Sequence, residues 1–184
     1  QHNWLMMLDE IQTGNGRTGQ YFAYQHTNIV PDVMTTAKGL GNGFPVGALM
    51  TQGKAVGILG AGSHGSTYGG TVLGSRVVYT VLDTLQKEQA VTNAATVGTY
   101  IVEQLRAQLA GYNVQVRGFG MMIGIQLPKD CAELVAIARD QYKLIINVTA
   151  GSVVRLLPPL NMTPDQADEL LKRLVPAIQN FLNA

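Results

Sequence analysis

The sequence has few charged residues and a single cysteine. Charged residues make up 14% of its 184 residues, and the net charge is +1. This balance gives no electrostatic basis for binding nucleic acid or an acidic membrane surface. Cys131 cannot form an internal disulfide, which is typical of a reduced, cytoplasmic protein. Because no apolar run reaches the ~18–20 residues of a membrane span and no signal-peptide pattern is present, we expect a cytoplasmic protein with no membrane partner.

Several kinds of site are missing as well. His26 and His64 have no partners at the spacing of zinc ligands, so we expect no metal site. The Gly-x-Ser-x-Gly elbow of serine hydrolases does not occur. The glycine-rich stretch at 39–43 is not followed by a helical pattern and is therefore not a dinucleotide-binding fingerprint.

The chain is rich in apolar residues and in glycine. Apolar residues make up 46%, which excludes a disordered protein, and the length suits one domain with a remainder or two small domains. Glycine accounts for 21 residues, well above the usual ~7%, and twelve of these lie between Gly39 and Gly74. The first apolar run follows Gln1-His2-Asn3 directly, which indicates either a trimmed end or a piece of a longer protein.

The predicted elements are short strands in the first part of the chain and helices with hairpins in the second. A continuous apolar run at 4–8 predicts a strand buried on both faces, as in a parallel sheet, and apolar spacings of three and four predict helices. The strands are predicted at 4–8, 33–37, 45–51, 114–117, 121–127, 144–148 and 153–157, and the helices at 21–26, 72–85, 91–110, 131–142 and from Thr163 onwards. Pro176 is expected to kink the last helix or to split off its last turn.

Two charged side chains follow the first two predicted strands. Asp9 ends one strand and Lys38 ends the next, and ligands of open α/β sheets bind beyond the carboxyl ends of the strands. A desolvated lysine can act as a nucleophile, and pyridoxal phosphate chemistry needs a lysine together with an acid that keeps the pyridine nitrogen protonated. Spacing alone leaves open the alternative that both are ordinary charges at strand ends.

Three further side chains are candidates for anion binding. The hydroxyls of Ser66 and Thr67 precede a predicted helix, where hydroxyls and free amides can hold phosphate, although a plain helix cap explains them equally well. Arg155 lies in an apolar strand and can bind a substrate carboxylate through two parallel N–H···O bonds of its guanidinium, or it can lie on a solvated face.

Five ordered motifs resemble class III aminotransferases of the ornithine and acetylornithine type. They are LDEIQTGNGRTG at 8–19, TAKGLGNGFPVGA at 36–48, HGSTYGG at 64–70, VRGFGMMIG at 116–124 and VRLLPPL at 154–160, and they span essentially the whole chain. The residues at 147–149 and 156–160 are most similar to the bacterial acetylornithine branch. One departure is Thr71-Val72, where the family usually has Asn-Pro, and this alters the expected start of the next helix.

The resemblance implies an α/β fold of the fold-type-I pyridoxal phosphate transferases. Residues 1–78 are then the C-terminal portion of the large mixed-sheet cofactor domain, and 79–184 are the small α+β domain. Members of the family are roughly twice as long as this chain. We therefore expect a C-terminal half that lacks the other phosphate-binding loop, the aromatic residue that stacks on the ring and a further substrate arginine, and that is inactive in isolation.

The resemblance also implies roles for individual residues. Lys38 forms the Schiff base with pyridoxal 5'-phosphate and moves the proton, Asp9 pairs with the pyridinium nitrogen, and Gln12 hydrogen-bonds the phenolic oxygen. Thr67, beside Ser66, binds the cofactor phosphate of the neighbouring subunit in a homodimer. Arg155 binds the α-carboxylate of glutamate or 2-oxoglutarate.

The expected reaction is transfer of the terminal amino group of N-acetylornithine to 2-oxoglutarate, a step of arginine biosynthesis. Ornithine, succinylornithine, succinyl-diaminopimelate and 4-aminobutyrate are alternative amino donors within the same class. A different kind of alternative is a non-catalytic fragment, a structural module with an exposed apolar face.

Overall fold

The computed structural model describes residues 2–184, and the chain folds into two compact units. Unit 1 extends to Val91, and unit 2 runs from Thr92 to Ala184. Each unit contains a separate sheet. The expected division after residue 78 concerns the domains of a longer protein and stays a prediction.

Unit 1 contains a three-stranded sheet in the order β1-β2-β3. Its elements are β1 (Met7–Asp9), β2 (Val33–Thr36), β3 (Ala48–Thr51), helix α1 (Val72–Lys87) and three 3-10 helices, Ala23–His26, Lys38–Leu40 and Gly53–Ala55. Strands β1 and β2 are parallel, whereas β2 and β3 are antiparallel. Helix α1 starts at Val72 because the Thr71 hydroxyl accepts a hydrogen bond from the Gly74 amide at 3.4 Å. The departure from the usual Asn-Pro therefore still leaves a capped helix.

Unit 2 contains a four-stranded antiparallel sheet in the order β4-β5-β7-β6. Its elements are α2 (Ala90–Gln108, which begins two residues before the unit boundary), β4 (Gln115–Phe119), β5 (Met122–Gln126), α3 (Leu134–Tyr142), β6 (Asn147–Thr149), β7 (Val153–Leu156) and α4 (Pro164–Asn183).

The core of unit 2 lies between one face of this sheet and its helices. Fully buried side chains come from α2, β5, β7 and α4, among them Ile101, Leu105, Ile125, Val154 and Leu174. Gly98 of α2 packs directly on the β4–β5 turn, where an added Cβ would lie 2.0 Å from the Gly120 carbonyl oxygen. No side chain larger than hydrogen fits at that position.

The last helix has the predicted start. The Thr163 hydroxyl accepts from the Gln166 amide at 3.3 Å, and the Gln166 side chain accepts from the Thr163 amide at 3.0 Å, which confirms the N-cap signature. The expectation that Pro176 splits off the last turn is wrong, because α4 continues to Asn183. Val175, Ala177 and neighbouring residues are buried, so packing holds the helix together through the proline.

The strand predictions were less accurate at their ends. Residues 4–6 lie outside β1, and Met7 within it is 62% exposed, so a strand buried on both faces is wrong. The reason is that little of the described chain packs on either face of β1, where Met7 and Asp9 are exposed and Leu8 is half-buried. Within residues 2–184, β1 pairs with β2 alone. Strand β6 starts at Asn147 instead of 144, because the Leu144 amide bonds back to the Ala138 carbonyl and ends α3 there.

Candidate functional site

Asp9 and Lys38 lie at the same edge of the unit 1 sheet. Asp9 is the last residue of β1 and stands opposite Thr35 of the parallel strand β2. Lys38 follows β2 by two residues and opens a short 3-10 helix. Both side chains therefore project from the carboxyl ends of neighbouring parallel strands, where α/β sheets bind their ligands.

The Asp9 carboxylate is held through one of its two oxygens. Oδ1 accepts from the Ile11 amide at 2.9 Å and from the Thr35 hydroxyl at 3.2 Å. Within residues 2–184, no hydrogen-bond donor contacts Oδ2. The residue is exposed, so this second oxygen can accept a hydrogen bond from a ligand.

Lys38 presents its amine from a strained backbone. Its φ is +46°, a left-handed conformation that costs about 1–2 kcal/mol for a residue with a side chain. The side chain is exposed, and its amine makes no hydrogen bond or ion pair with any residue from 2 to 184. An open cavity of about 480 Å³ lies beside it, lined by Ala37, Lys38, Gly43, Phe44, Pro45, Val46 and Gly47.

The turn after Lys38 is tightly constrained. The Leu40 amide donates to the Ala37 carbonyl at 2.9 Å, and the Gly41 amide donates to the Lys38 carbonyl at 3.1 Å. A Cβ at Gly41 would lie 2.1 Å from the Phe44 carbonyl oxygen, so this position requires glycine. The glycines near Lys38 thus allow the chain to fold back beside the cavity.

Glu10 is a buried carboxylate that the sequence reasoning missed. It is 3% exposed and accepts hydrogen bonds from the Ala23 amide at 2.9 Å, the Tyr24 amide at 2.8 Å and the Thr13 hydroxyl. These bonds tie the loop after β1 to the start of the first 3-10 helix. Its position next to Asp9 at a strand end was the only available signal, and that signal does not distinguish a buried acid from an exposed one.

Asn15 was also missed, because its place between two glycines indicates only a turn. It is 5% exposed and its side-chain amide donates to the Thr36 hydroxyl at 2.9 Å and to the Ala37 carbonyl at 3.2 Å. The loop after β1 is thereby bonded to the segment that leads into Lys38.

The remaining predicted cofactor residues of unit 1 have less defined surroundings. Gln12 is half-buried, and its side chain makes no hydrogen bond with the described part of the chain. Ser66 and Thr67 are exposed in the loop before α1, where the Ser66 hydroxyl accepts from the Gly69 amide at 3.0 Å. They precede the cap of α1 by four or five residues, so they do not form the helix start themselves.

Arg155 belongs to unit 2 and lies on β7. It stands opposite Gly124 of β5 on one side and Asn147 of β6 on the other. Its Nε is buried and has no hydrogen-bond partner in the structure of residues 2–184. A cavity of about 420 Å³ beside it is lined by residues that include Asn147, Leu157 and Pro158. An unpaired guanidinium at such a cavity can bind a carboxylate.

No group of three histidine, cysteine or acidic side chains within 2–184 is arranged to hold a metal ion. None of the helices in that range combines the length and the hydropathy that a membrane crossing requires.

Comparison with known proteins gives a family and close structural likenesses. The family described as Aminotransferase class-III matches residues 1–178. The acetylornithine aminotransferase of Nitrosomonas europaea is 44% identical over 186 residues. The ornithine aminotransferase of Toxoplasma gondii, a structure with partial occupancy of PLP at its active site, is 29% identical with a TM-score of 0.90. The acetylornithine aminotransferase of Elizabethkingia anophelis is also 29% identical, with a TM-score of 0.89.

Each alignment covers nearly all of this chain but less than half of the matched protein. The Nitrosomonas alignment covers 100% of this chain and 47% of that protein. The two structural alignments cover 97% and 98% of this chain, and 43% and 47% of the matched chains. The chain spans about half the length of the relatives it matches.

Proposed function

Because this chain belongs to the class III aminotransferases, we propose that the protein transfers the terminal amino group of N-acetylornithine to 2-oxoglutarate. The products are N-acetylglutamate semialdehyde and glutamate, and the reaction serves arginine biosynthesis in the cytoplasm. Support for this donor comes from the 44% identity with an acetylornithine aminotransferase.

The observation that carries the proposal is the pair formed by Lys38 and Asp9. Lys38 has an unpaired amine, and Asp9 has a carboxylate oxygen without a hydrogen-bond partner in the described chain. Both residues lie at the same edge of the unit 1 sheet. A cofactor with an aldehyde and a basic ring nitrogen fits this pair of groups. Pyridoxal phosphate, when bound, supplies an electron sink for ionising a bond next to the substrate nitrogen.

Each residue of unit 1 then has a defined task. The Asp9 carboxylate accepts a hydrogen bond from the protonated ring nitrogen and keeps it protonated. The Lys38 amine takes the proton from the substrate carbon and returns it, acting as general base and then as general acid. The Gln12 amide donates to the phenolic oxygen of the cofactor.

Anion binding completes the assignment. The hydroxyls of Ser66 and Thr67 donate to the cofactor phosphate, and Thr67 does so across the interface of a homodimer. The Arg155 guanidinium binds the α-carboxylate of glutamate or 2-oxoglutarate, consistent with its buried and unpartnered Nε. Residues 1–78 belong to the large cofactor domain and 79–184 to the small domain of a longer enzyme, and the 184-residue chain alone does not turn over substrate.

The cofactor assignment is tested by covalent labelling of the chain. Pyridoxal phosphate is added, the adduct is reduced with borohydride, and the labelled lysine is identified by peptide mass spectrometry. We expect label at Lys38 that is lost in Lys38→Ala and retained in Lys54→Ala. Equal labelling of all exposed lysines would contradict the assignment.

The amino donor is tested with the full-length enzyme. A second candidate is ornithine, because the TM-score of 0.90 with an ornithine aminotransferase is as high as the 0.89 with an acetylornithine aminotransferase to within 0.01. We expect the highest kcat/KM with N-acetylornithine in a panel that includes ornithine, succinylornithine, succinyl-diaminopimelate and 4-aminobutyrate.

The proposed inactivity of the isolated 184-residue chain is tested separately. Robust transamination by that chain alone would contradict it.

A further inference from the structure

We propose that Asn15 is a positioning residue for Lys38, an inference that rests on the proposed role of Lys38 as the cofactor-binding lysine. The side-chain amide of Asn15 donates to the Ala37 carbonyl, which belongs to the peptide group joining Ala37 to Lys38. The orientation of that peptide sets the direction in which the Lys38 side chain leaves the backbone.

The contact is buried and has two points of attachment. The Asn15 Nδ2 lies 3.2 Å from the Ala37 carbonyl oxygen and 2.9 Å from the Thr36 hydroxyl, and the residue is 5% exposed. Both hydrogens of one amide group are thereby used. On the other side of Lys38, a Cβ added to Gly39 would lie 3.1 Å from the Asn15 Cβ. Asn15 therefore hydrogen-bonds the residue before Lys38 and leaves little room for a side chain at the residue after it.

Asn15 can hold another segment because its own backbone is fixed. Its φ is +57°, a conformation that asparagine adopts more readily than most residues. The neighbouring Gly14 amide donates to the Glu10 carbonyl at 2.9 Å, and the Gly16 amide donates to the Tyr21 carbonyl at 3.2 Å. The buried Glu10 carboxylate anchors the same loop.

Lys38 needs external support because its side chain has none within the described residues. It is exposed, its amine is unpaired, and its φ of +46° is disfavoured for lysine. The Ala37 carbonyl accepts from both the Asn15 side chain and the Leu40 amide. Loss of the first bond leaves only the 3-10 turn to hold this peptide, so the amine samples more directions and reaches the attacking geometry less often.

The test substitution is Asn15→Asp, which keeps the volume and the tolerance of positive φ but removes the donor to the Ala37 carbonyl. Asn42→Asp is the matched control, since Asn42 also has a positive φ (+44°), is exposed and makes no side-chain bond to the Lys38 segment. Both variants introduce one negative charge close to Lys38 in sequence or in space.

Two readouts are measured in each chain. The first is amide hydrogen exchange at Leu40, which needs no cofactor. The second is the share of borohydride-trapped pyridoxal phosphate that is found on Lys38, relative to Lys54 and Lys87. In the trapping step the lysine amine attacks the aldehyde carbon, water leaves, and hydride reduces the new carbon–nitrogen double bond. We expect Asn15→Asp to speed Leu40 exchange and to lower the Lys38 share by about five- to tenfold, the factor for one buried hydrogen bond. Asn42→Asp should change neither.

The outcomes separate this inference from the proposed function. Unchanged Leu40 exchange in Asn15→Asp overturns the positioning role, and so does faster exchange with an unchanged Lys38 share. Equal losses in both variants indicate a charge effect and overturn it as well. If the unmodified chain shows no preference for Lys38, the cofactor assignment fails, and Leu40 exchange alone decides the role of Asn15.

A second variant covers the case in which Asn15→Asp does not fold. Asn15→Gly accepts the positive φ and removes both side-chain hydrogen bonds without adding charge. We expect the same faster exchange at Leu40 and the same fall in the Lys38 share. A chain that keeps both values in Asn15→Gly would overturn the proposal.

Discussion

Among the described residues, unit 2 buries twenty-five apolar side chains and leaves three large ones exposed, whereas unit 1 buries five and leaves seventeen exposed. All four positions of β3 in unit 1 are exposed, while β7 in unit 2 has three buried residues out of four. Unit 2 is thus stabilised by apolar packing. Unit 1 carries a large exposed apolar surface of the kind that marks contact with other protein.

Buried polar groups show the opposite distribution. The buried polar residues among 2–184 are Glu10, Asn15, Thr18 and Thr36, and all four lie in unit 1. Glu10, Asn15 and Thr36 bond the loop after β1 to itself and to β2. The backbone around Lys38 is thus held largely by directional hydrogen bonds, which need no large buried volume.

The largest effect is expected from a core substitution in unit 2. Leu174→Ala removes a fully buried side chain and should lower the free energy of unfolding by about 2–5 kcal/mol. The same change in unit 1, Leu49→Ala, affects a side chain that is 48% exposed and should stay within about 0.5 kcal/mol. Urea unfolding followed by alkylation of Cys131, which is buried in unit 2, measures the first effect, and hydrogen exchange in β2 and β3 measures the second. An equal loss of unfolding free energy in Leu174→Ala and Leu49→Ala would contradict the proposed difference in packing between the units.

An intermediate effect is expected from the buried acid of unit 1. Glu10→Gln replaces an acceptor of three hydrogen bonds by a group with one acceptor oxygen, and should destabilise the local structure by about 1–3 kcal/mol. Amide exchange should accelerate in residues 10–26 and remain unchanged in unit 2. Glu88→Gln, an exposed position of the same unit, is the control. Faster exchange throughout unit 2 would show that the two units do not respond separately.

The smallest effect is a pH dependence confined to unit 2. Burial, with a contribution from nearby Asp130, raises the pKa of the Cys131 thiol. A raised pKa in the folded state means that the thiol's contribution is fully present below its ordinary value of about 8.5 and is lost as the pH rises through the higher folded value. We expect wild type to lose more stability than Cys131→Ala between pH 8 and pH 10 in urea unfolding. An identical pH dependence of the two chains would contradict this assignment.

The helices could be predicted from the sequence more completely than the strands. Apolar spacing located α1 and α2 to within a few residues. In α2 the apolar stripe packs in the core of unit 2, whereas Val72, Leu73 and Leu82 of α1 are exposed. The strand at 4–8 was misplaced because an apolar run carries no information about which residues pair. Only the tertiary register, Met7 with Val33 and Asp9 with Thr35, sets the ends of β1.

Some residues of the candidate site could likewise be predicted from the sequence, and others could not. Asp9 and Lys38 could be selected because each ends a predicted strand, and parallel strands bring their ends together. Glu10 and Asn15 could not, because their partners lie 13 to 22 residues away and depend on how a loop folds. Local sequence identifies residues whose role follows from the position of a strand, but not residues that connect two loops.

The left-handed backbone of Lys38 sets stability against the proposed function at one position. Asparagine tolerates a φ of +46° better than lysine, so Lys38→Asn relieves strain while it removes the amine. A laboratory selection for heat resistance alone would therefore favour the loss of lysine at this position. Under the proposed role of Lys38, selection for chemistry retains lysine there, and stabilising mutations elsewhere in the chain can offset the strain.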